Sequence, residues 1–99
     1  MAEYRLAPAA VSDLEAIWIY TAKQWGIEQA HRYIDTLTAA FAELAHTPKI
    51  ASTCDHIRPG YRRWNVERHV IFFRMTSDGI AVIRILHDSM DAPRHLATN

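Results

Sequence analysis

Six histidines and one cysteine are the residues of this 99-residue sequence best suited to binding a metal ion. Zinc sites are typically built from closely spaced ligands, yet neither His-x-x-x-His nor Cys-x-x-Cys occurs here. Cys54 has only His56 beside it as a base, and adjacent loop residues of this kind rarely make a thiolate nucleophile. The sequence therefore predicts no metal site and no cofactor.

The strongest enzymatic candidate is a nuclease-like cluster of Arg74, Arg84 and His87. Two guanidinium groups could stabilise the charge that develops on a phosphoryl group, while an imidazole moves a proton. Side chains alternate along a strand, however, and His87 then falls on the face opposite Arg84. The sequence also contains no Gly-rich phosphate loop and no paired-carboxylate motif. We therefore predict no catalytic residue.

These residues lie on a predicted β-hairpin. The runs 69–76 and 80–87 are rich in β-branched and aromatic residues, and Ser77-Asp78-Gly79 separates them. This spacing predicts a three-residue loop with Gly79 at positive φ. The expected cross-strand pairs are Thr76–Ile80, Arg74–Val82, Phe72–Arg84 and Val70–Leu86.

The predicted register separates the hairpin into two faces of different character. The wholly apolar face, which we expect helices to cover, carries Ile71, Phe73, Met75, Ala81, Ile83 and Ile85. The second face mixes apolar residues with arginine and carries Val70, Phe72, Arg74, Val82, Arg84 and Leu86. With no predicted element to cover it, the second face is typical of a protein-binding surface. Alternatively, its arginine stems shield ordinary surface residues.

The rest of the chain predicts an α+β fold of order β-α-α-β-β-β in a single domain, 1–99. Residues 4–6 form a first strand, and two amphipathic helices follow. Pro8 begins the first helix, Gly26 separates the two helices and Pro48 ends the second. Residues 48–60 are predicted to be a surface loop and 61–66 a further strand. The helical hairpin covers one face of a small, mostly antiparallel sheet. The tail from Asp88 is predicted to be irregular and to lie over a sheet edge.

Composition narrows the function classes. Eleven basic and eleven acidic residues cancel, so charge does not predict nonspecific binding to DNA or RNA. We also expect no direct, sequence-specific nucleic-acid contact. The charges are unevenly distributed, because seven of the nine arginines lie from Arg58 onward and make the C-terminal half the basic half. A single cysteine fits a reducing cytoplasm, and the sequence shows no signal-peptide pattern and no apolar run long enough for a membrane span.

Several segments together resemble the ParE branch of the RelE/ParE toxin superfamily. They are Tyr4-Arg5-Leu6, Asp13-Leu14-x-x-Ile17-Trp18-x-Tyr20-Thr21, Trp25-Gly26, Ile57 to Arg62, His69 to Arg74, Ile83 to His87 and Met90-Asp91-x-x-Arg94-His95-Leu96. The resemblance covers nearly the whole chain and implies the same α+β fold. It also implies the toxin of a type II toxin–antitoxin system, located in the bacterial cytoplasm.

Two activities occur on that fold. Relatives that cleave mRNA on the ribosome carry an arginine at the position of Val70, and valine cannot neutralise phosphate charge. The resemblance to ParE instead implies poisoning of DNA gyrase without catalysis. A RelE-like ribosome-dependent endoribonuclease remains the alternative, and an inactive relative that only binds a partner is a third reading.

The resemblance also implies a ParD-like antitoxin and a toxin–antitoxin hetero-oligomer. The residues expected to bind the antitoxin are Tyr61, Arg63, Val70, Phe72, Arg74, Arg84 and Leu86. The residues expected to contact gyrase are His87, Met90, Arg94 and His95. The antitoxin could instead lie along the helices, over Trp18 or Tyr33.

Overall fold

The computed structural model describes residues 2–96, which form two helices packed on a five-stranded sheet. The elements are β1 (Glu3–Leu6), α1 (Pro8–Trp25), α2 (Ile27–His46), a 3₁₀ turn (Pro48–Ile50), β2 (Ser52–Thr53), β3 (Tyr61–Val66), β4 (His69–Thr76), β5 (Gly79–His87) and α3 (Ala92–Leu96). The predicted α+β order is confirmed, with β2 and α3 as short additions. In this part of the chain no helix is long and apolar enough to cross a membrane.

The sheet has strand order β1-β5-β4-β3-β2, with β1 parallel to β5 and the other neighbours antiparallel. The two long helices are joined by Gly26 alone, whose φ of +95° suits a residue without a Cβ. Helix α2 buries Leu37, Phe41 and Leu44 completely. The main core lies between the helical hairpin and the sheet, as predicted.

The central hairpin has a two-residue loop, so the predicted three-residue loop was wrong. Thr76 pairs with Gly79, which is the first residue of β5 rather than part of the turn. Glycine is required there because β1 passes directly against it: a Cβ at Gly79 would lie 1.7 Å from the Glu3 carbonyl oxygen. Its φ is positive, at +156°, as predicted.

A β-bulge in β5 restores the predicted register farther from the turn. Phe73 pairs with Val82 and Phe72 with Arg84, which leaves Ile83 as the extra residue. The predicted pairs Phe72–Arg84 and Val70–Leu86 are therefore confirmed. The pairs nearer the turn were wrong by one residue.

The bulge also changes which β5 residues face the helices. Ile71, Phe73 and Ile85 belong to the main core, as predicted. Ile80 and Val82 join them, although we had assigned Val82 to the second face. An extra residue in one strand resets its alternation, so the face assignment could not hold on both sides of Ile83.

The second face of the sheet is not bare, which corrects the sequence prediction. A second apolar cluster covers it, formed by Cys54, Val70, Phe72, Leu86 and Leu96. Leu96 lies on α3 and is fully buried, and its carbonyl oxygen accepts a hydrogen bond from Arg58 Nη1 at 3.1 Å. The tail thus forms a helical turn that packs on the sheet face, and the loop before β3 contributes Cys54 to the same cover.

Candidate functional site

The residues predicted to bind an antitoxin do not form one exposed face. Val70, Phe72 and Leu86 belong to the second apolar cluster and are at most 3% exposed. Arg63 is half-buried, with its guanidinium 5.5 Å from the centre of the Phe72 ring. Of this group, Arg74 alone is exposed. The predicted apolar anchors therefore form the floor of this region rather than its surface.

Tyr61 is also half-buried, and the Arg58 guanidinium lies 5.7 Å from the centre of its ring. Its neighbour Arg62 pairs with Phe73 of β4. Arg62 Nη1 donates to the Ala51 carbonyl oxygen at 2.8 Å, so its charge is accommodated at the sheet margin. Tyr61 and Arg63 thus remain at the edge of the covered face.

The guanidinium of Arg84 is bound within the protein and is not free to meet a partner, although Arg84 pairs with Phe72 as predicted. Its Nε and Nη2 atoms donate to the two carboxylate oxygens of Asp13 on α1, at 2.8 and 2.9 Å. Asp13 also accepts the backbone N–H of Ile85 at 2.8 Å, along the part of β5 that extends beyond β1. The hydrogen bonds that Arg84 donates to the Asp13 carboxylate raise the pKa of Arg84. This two-point ion pair fixes the start of α1 against the bulged strand.

The nuclease-like cluster expected as the enzymatic alternative is therefore not assembled among residues 2–96. Arg84 is occupied by Asp13, and Arg74 pairs with Ala81 near the loop end of the hairpin while His87 lies at the opposite end. Cys54 is fully buried, and burial raises the pKa of its thiol. A raised pKa disfavours the reactive thiolate, so Cys54 acts as a core residue.

A cavity of about 380 Å³ lies on the second face, between the loop before β3 and the tail. It brings together members of both predicted partner sites. Its lining includes Arg63, Phe72, Leu86, His87 and Met90. Arg94 and His95 lie on α3 outside that lining, where Arg94 is exposed and His95 is half-buried.

A larger groove of about 600 Å³, which the sequence pattern does not predict, lies at the end of the helical hairpin. Tyr20 and Trp25 line it and are exposed by 64% and 74%. Ile27, the residue after Gly26, is 60% exposed. A usable signal was present, because large apolar residues directly flanking Gly26 lie where the chain reverses and cannot all reach the core.

Tyr33, His69 and His87 line the inner side of this groove. The hydroxyl of Tyr33 lies 2.5 Å from Nδ1 of His69, and the rings of His69 and His87 meet edge to face at 5.4 Å. Burial, followed by the nearby His87, lowers the pKa of His69. Burial raises the pKa of Tyr33. The lowered pKa favours the neutral form of His69. Across residues 2–96, no group of three or more His, Cys, Asp or Glu side chains is placed to hold a metal ion.

Comparison with known proteins identifies one matching family and several similar proteins. Residues 4–92 match the family described as "ParE toxin of type II toxin-antitoxin system, parDE". Toxin ParE1 of Mycobacterium tuberculosis is 45% identical over 94 residues, covering 94% of this chain and 96% of that protein. Toxin ParE1 of Caulobacter vibrioides is 40% identical over 96 residues, covering 97% and 99%. A solved structure titled "Chromosomal ParDE TA system from P. aeruginosa" shares the fold, with a TM-score of 0.75 at 21% identity over 88% of this chain and 96% of that one.

Proposed function

The chain belongs to the ParE toxin family of type II toxin–antitoxin systems, and from this premise we propose that it poisons DNA gyrase and is neutralised by a ParD-like antitoxin. The match to the family over residues 4–92 is the observation that carries the proposal. Since gyrase acts on the bacterial chromosome, the proposed activity takes place in the cytoplasm.

Two features of the site support a binding mechanism over mRNA cleavage. Val70, at the position where mRNA-cleaving relatives carry arginine, is 3% exposed in the second apolar cluster. Arg84, the other arginine of the candidate nuclease cluster, has both ends of its guanidinium on Asp13. A guanidinium held in this way is not free to neutralise a phosphate in a transition state.

For the antitoxin, the groove at the end of the helical hairpin offers the larger apolar surface. Tyr20, Trp25 and Ile27 are each at least 60% exposed, and exposed apolar residues grouped in this way mark binding sites. An amphipathic antitoxin segment would bury them as it folds on the toxin. Arg68, at the rim of the groove, is placed to pair with an antitoxin carboxylate.

The second face supplies a further set of proposed antitoxin contacts. Arg74 is exposed, and Arg63 borders the 380 Å³ cavity above Phe72. One apolar antitoxin side chain in that cavity would reach Phe72 and Leu86 without displacing α3. Arg84 leaves the proposed contact set, because Asp13 occupies it.

The proposed gyrase contacts lie where β5 leads into the tail. Met90 is 40% exposed and Arg94 is exposed, while His87 and His95 are half-buried. This surface adjoins the second-face cavity, which His87 and Met90 line. An antitoxin segment placed there would cover the gyrase contacts directly.

The decisive experiment compares two activities of the same purified toxin. We expect inhibition of supercoiling by purified gyrase, with accumulation of cleaved DNA, and no cutting of mRNA in a translation reaction. Adding a ParD-like antitoxin should restore supercoiling. Cleavage of mRNA in the ribosomal A site, with gyrase unaffected, would replace the proposal by the endoribonuclease function.

Calorimetry with that antitoxin distinguishes the two contact surfaces. We expect Trp25→Ser to weaken binding by more than about 2 kcal/mol, roughly 30-fold, because buried tryptophans dominate interfaces. Arg74→Glu should cost about 1 kcal/mol, as expected for a charge at the rim. Ile50→Ser and Lys49→Glu, at exposed positions of the 3₁₀ turn, are the matched controls. A stronger effect of Arg74→Glu than of Trp25→Ser would place the antitoxin mainly on the second face.

A further inference from the structure

Strand β1 forms one edge of the sheet, with β5 on one side and no strand of residues 2–96 on the other. The backbone N–H groups of Glu3 and Ala7 donate to carbonyl oxygens of β5 and the turn before it, at 2.8 and 2.9 Å. Backbone groups alternate in direction along a strand, so those of Tyr4 and Leu6 point to the open side. The edge therefore presents backbone donors and acceptors of the kind that pair with another strand.

The space beside β1 is open to an incoming strand. A cavity of about 450 Å³ is bordered by β1 and the last part of α2, and Tyr4, Ala42 and His46 are among the residues that line it. Tyr4 is 38% exposed, and its ring lies 5.4 Å from that of Phe41 on the helix-facing side of the sheet. Because side chains alternate, the exposed Glu3 and its neighbour two residues on point to the opposite side.

The charges of β1 favour a second copy of the same strand as the occupant of this edge. In an antiparallel pair with Tyr4 opposite Tyr4, Glu3 of each copy lies opposite Arg5 of the other, and opposite charges across strands attract. A shift of two residues is the smallest that keeps the outward backbone groups aligned. It would place either Glu3 opposite Glu3 or Arg5 opposite Arg5, and like charges in this position repel. Charge complementarity thus selects one register.

We propose that β1 is a self-association surface, on which a second copy of the chain adds its own β1 antiparallel and joins the two sheets into one. In the selected register, the N–H and C=O groups of Tyr4 bond to those of Tyr4 in the second copy. Leu6 of each copy lies opposite Ala2 of the other. The two Tyr4 rings also form an aromatic cross-strand pair on the helix-facing side.

This surface is separate from the surfaces of the proposed function. None of the four residues of β1 lines the 600 Å³ groove or the 380 Å³ cavity on the second face. Both copies in the dimer therefore keep their antitoxin and gyrase surfaces accessible. Since a four-residue strand makes a small interface, we expect weak association, with a dissociation constant of roughly 10–100 μM.

The test is sedimentation velocity of the tag-free toxin over a concentration series from about 5 to 200 μM. Glu3→Arg and Arg5→Glu each place like charges opposite one another, and each should weaken dimerisation at least about tenfold. The double variant exchanges the two charges and should dimerise as the wild type does. A mixture of the two single variants should form a heterodimer, because every facing pair is then of opposite charge.

Two controls separate this effect from a change of net charge or of folding. Glu28→Arg and Arg32→Glu make the same charge changes at exposed positions of α2 outside the cavity beside β1, and neither should alter dimerisation. Arg5 also lies 3.9 Å from Asp78 in an exposed ion pair, which contributes little to stability. Far-UV circular dichroism should therefore show each variant folded as the wild type is.

Hydrogen exchange measured at low and high protein concentration locates the interface without any variant. The N–H groups of Tyr4 and Leu6 should exchange more slowly as the concentration rises, whereas that of Glu3 is bonded in both states. A monomer at every concentration, single variants that associate as the wild type does, or a double variant as weak as the single ones would overturn the proposal. So would protection that appears at Trp25 instead, in the groove. Gyrase inhibition is measured separately, and its failure would leave these outcomes unchanged.

Discussion

Removing the Asp13 carboxylate tests the internal role of Arg84 most directly. The Asp13 and Arg84 side chains are 14% and 18% exposed, and the carboxylate accepts three hydrogen bonds. Asp13→Ala leaves a largely buried guanidinium and the Ile85 N–H without that partner. Breaking a buried pair on one side costs about 3–5 kcal/mol, and partial exposure places this case near the lower end. We expect a loss of about 3 kcal/mol in the free energy of unfolding.

Urea denaturation followed by far-UV circular dichroism measures this loss. For a domain of this size, about 3 kcal/mol corresponds to a fall in Tm of roughly 12–24 °C. Asp35→Ala, which removes an exposed carboxylate from α2, is the control and should change stability by less than about 0.5 kcal/mol.

A double substitution separates the ion pair from the packing around it. Replacing Asp13 by Leu and Arg84 by Met removes both charges, so no unpaired guanidinium remains. We expect the double variant to be more stable than Asp13→Leu alone, with a coupling of about 1–3 kcal/mol. A loss below about 1 kcal/mol for Asp13→Ala, or strictly additive effects in the cycle, would refute the view that this pair fixes α1 to β5.

Three further outcomes follow from the structure. Gly79→Ala should lower the free energy of unfolding, measured by urea denaturation, by more than about 1 kcal/mol, because its Cβ would meet the Glu3 carbonyl oxygen at 1.7 Å. Gly60→Ala is the control and should lower it less, because Gly60 is also at positive φ but has open space where the Cβ would lie. Burial lowers the folded-state pKa of His69, so just below pH 6.5 the unfolded chain binds more protons than the folded protein does. The free energy of unfolding should therefore fall as the pH drops from 6.5 toward the folded-state pKa. His69→Gln should reduce this dependence of the unfolding free energy on pH. Leu96→Ala should cost about 2–4 kcal/mol, since Leu96 is fully buried, and should increase the binding of a fluorescent apolar dye to the second face. A dye signal equal to that of the wild type would contradict the assigned cover.

The elements and their order could be predicted because their signals are local. Pro8, Gly26 and Pro48 punctuate the helices, and their roles depend only on backbone geometry near each residue. The strand period of the central hairpin is equally local, and it gave the correct pairing of Phe72 with Arg84. What failed was the assumption that alternation continues unbroken, since nothing in the apolar pattern of β5 marks Ile83 as an extra residue.

The errors at the candidate site have a common physical origin in contacts between distant segments. Asp13 and Arg84 are 71 residues apart, and no sequence period links a helix start to a sheet edge. Cys54 and Leu96 seal the second face from two short segments that carry no periodicity. Single apolar residues in such segments look like loop residues until the fold places them, and so the sheet was expected to be open.

His87 connects the two regions where partners are proposed. It lines both the groove at the end of the helical hairpin and the cavity on the second face. An antitoxin bound in the groove would therefore contact one member of the proposed gyrase surface, even if the antitoxin did not extend to the tail. Under this proposal, an antitoxin in the groove would compete with gyrase for His87 without a conformational change of the toxin. If neutralisation works in this way, a peptide that fills only the groove should relieve gyrase inhibition, whereas one that binds only near Arg74 should not.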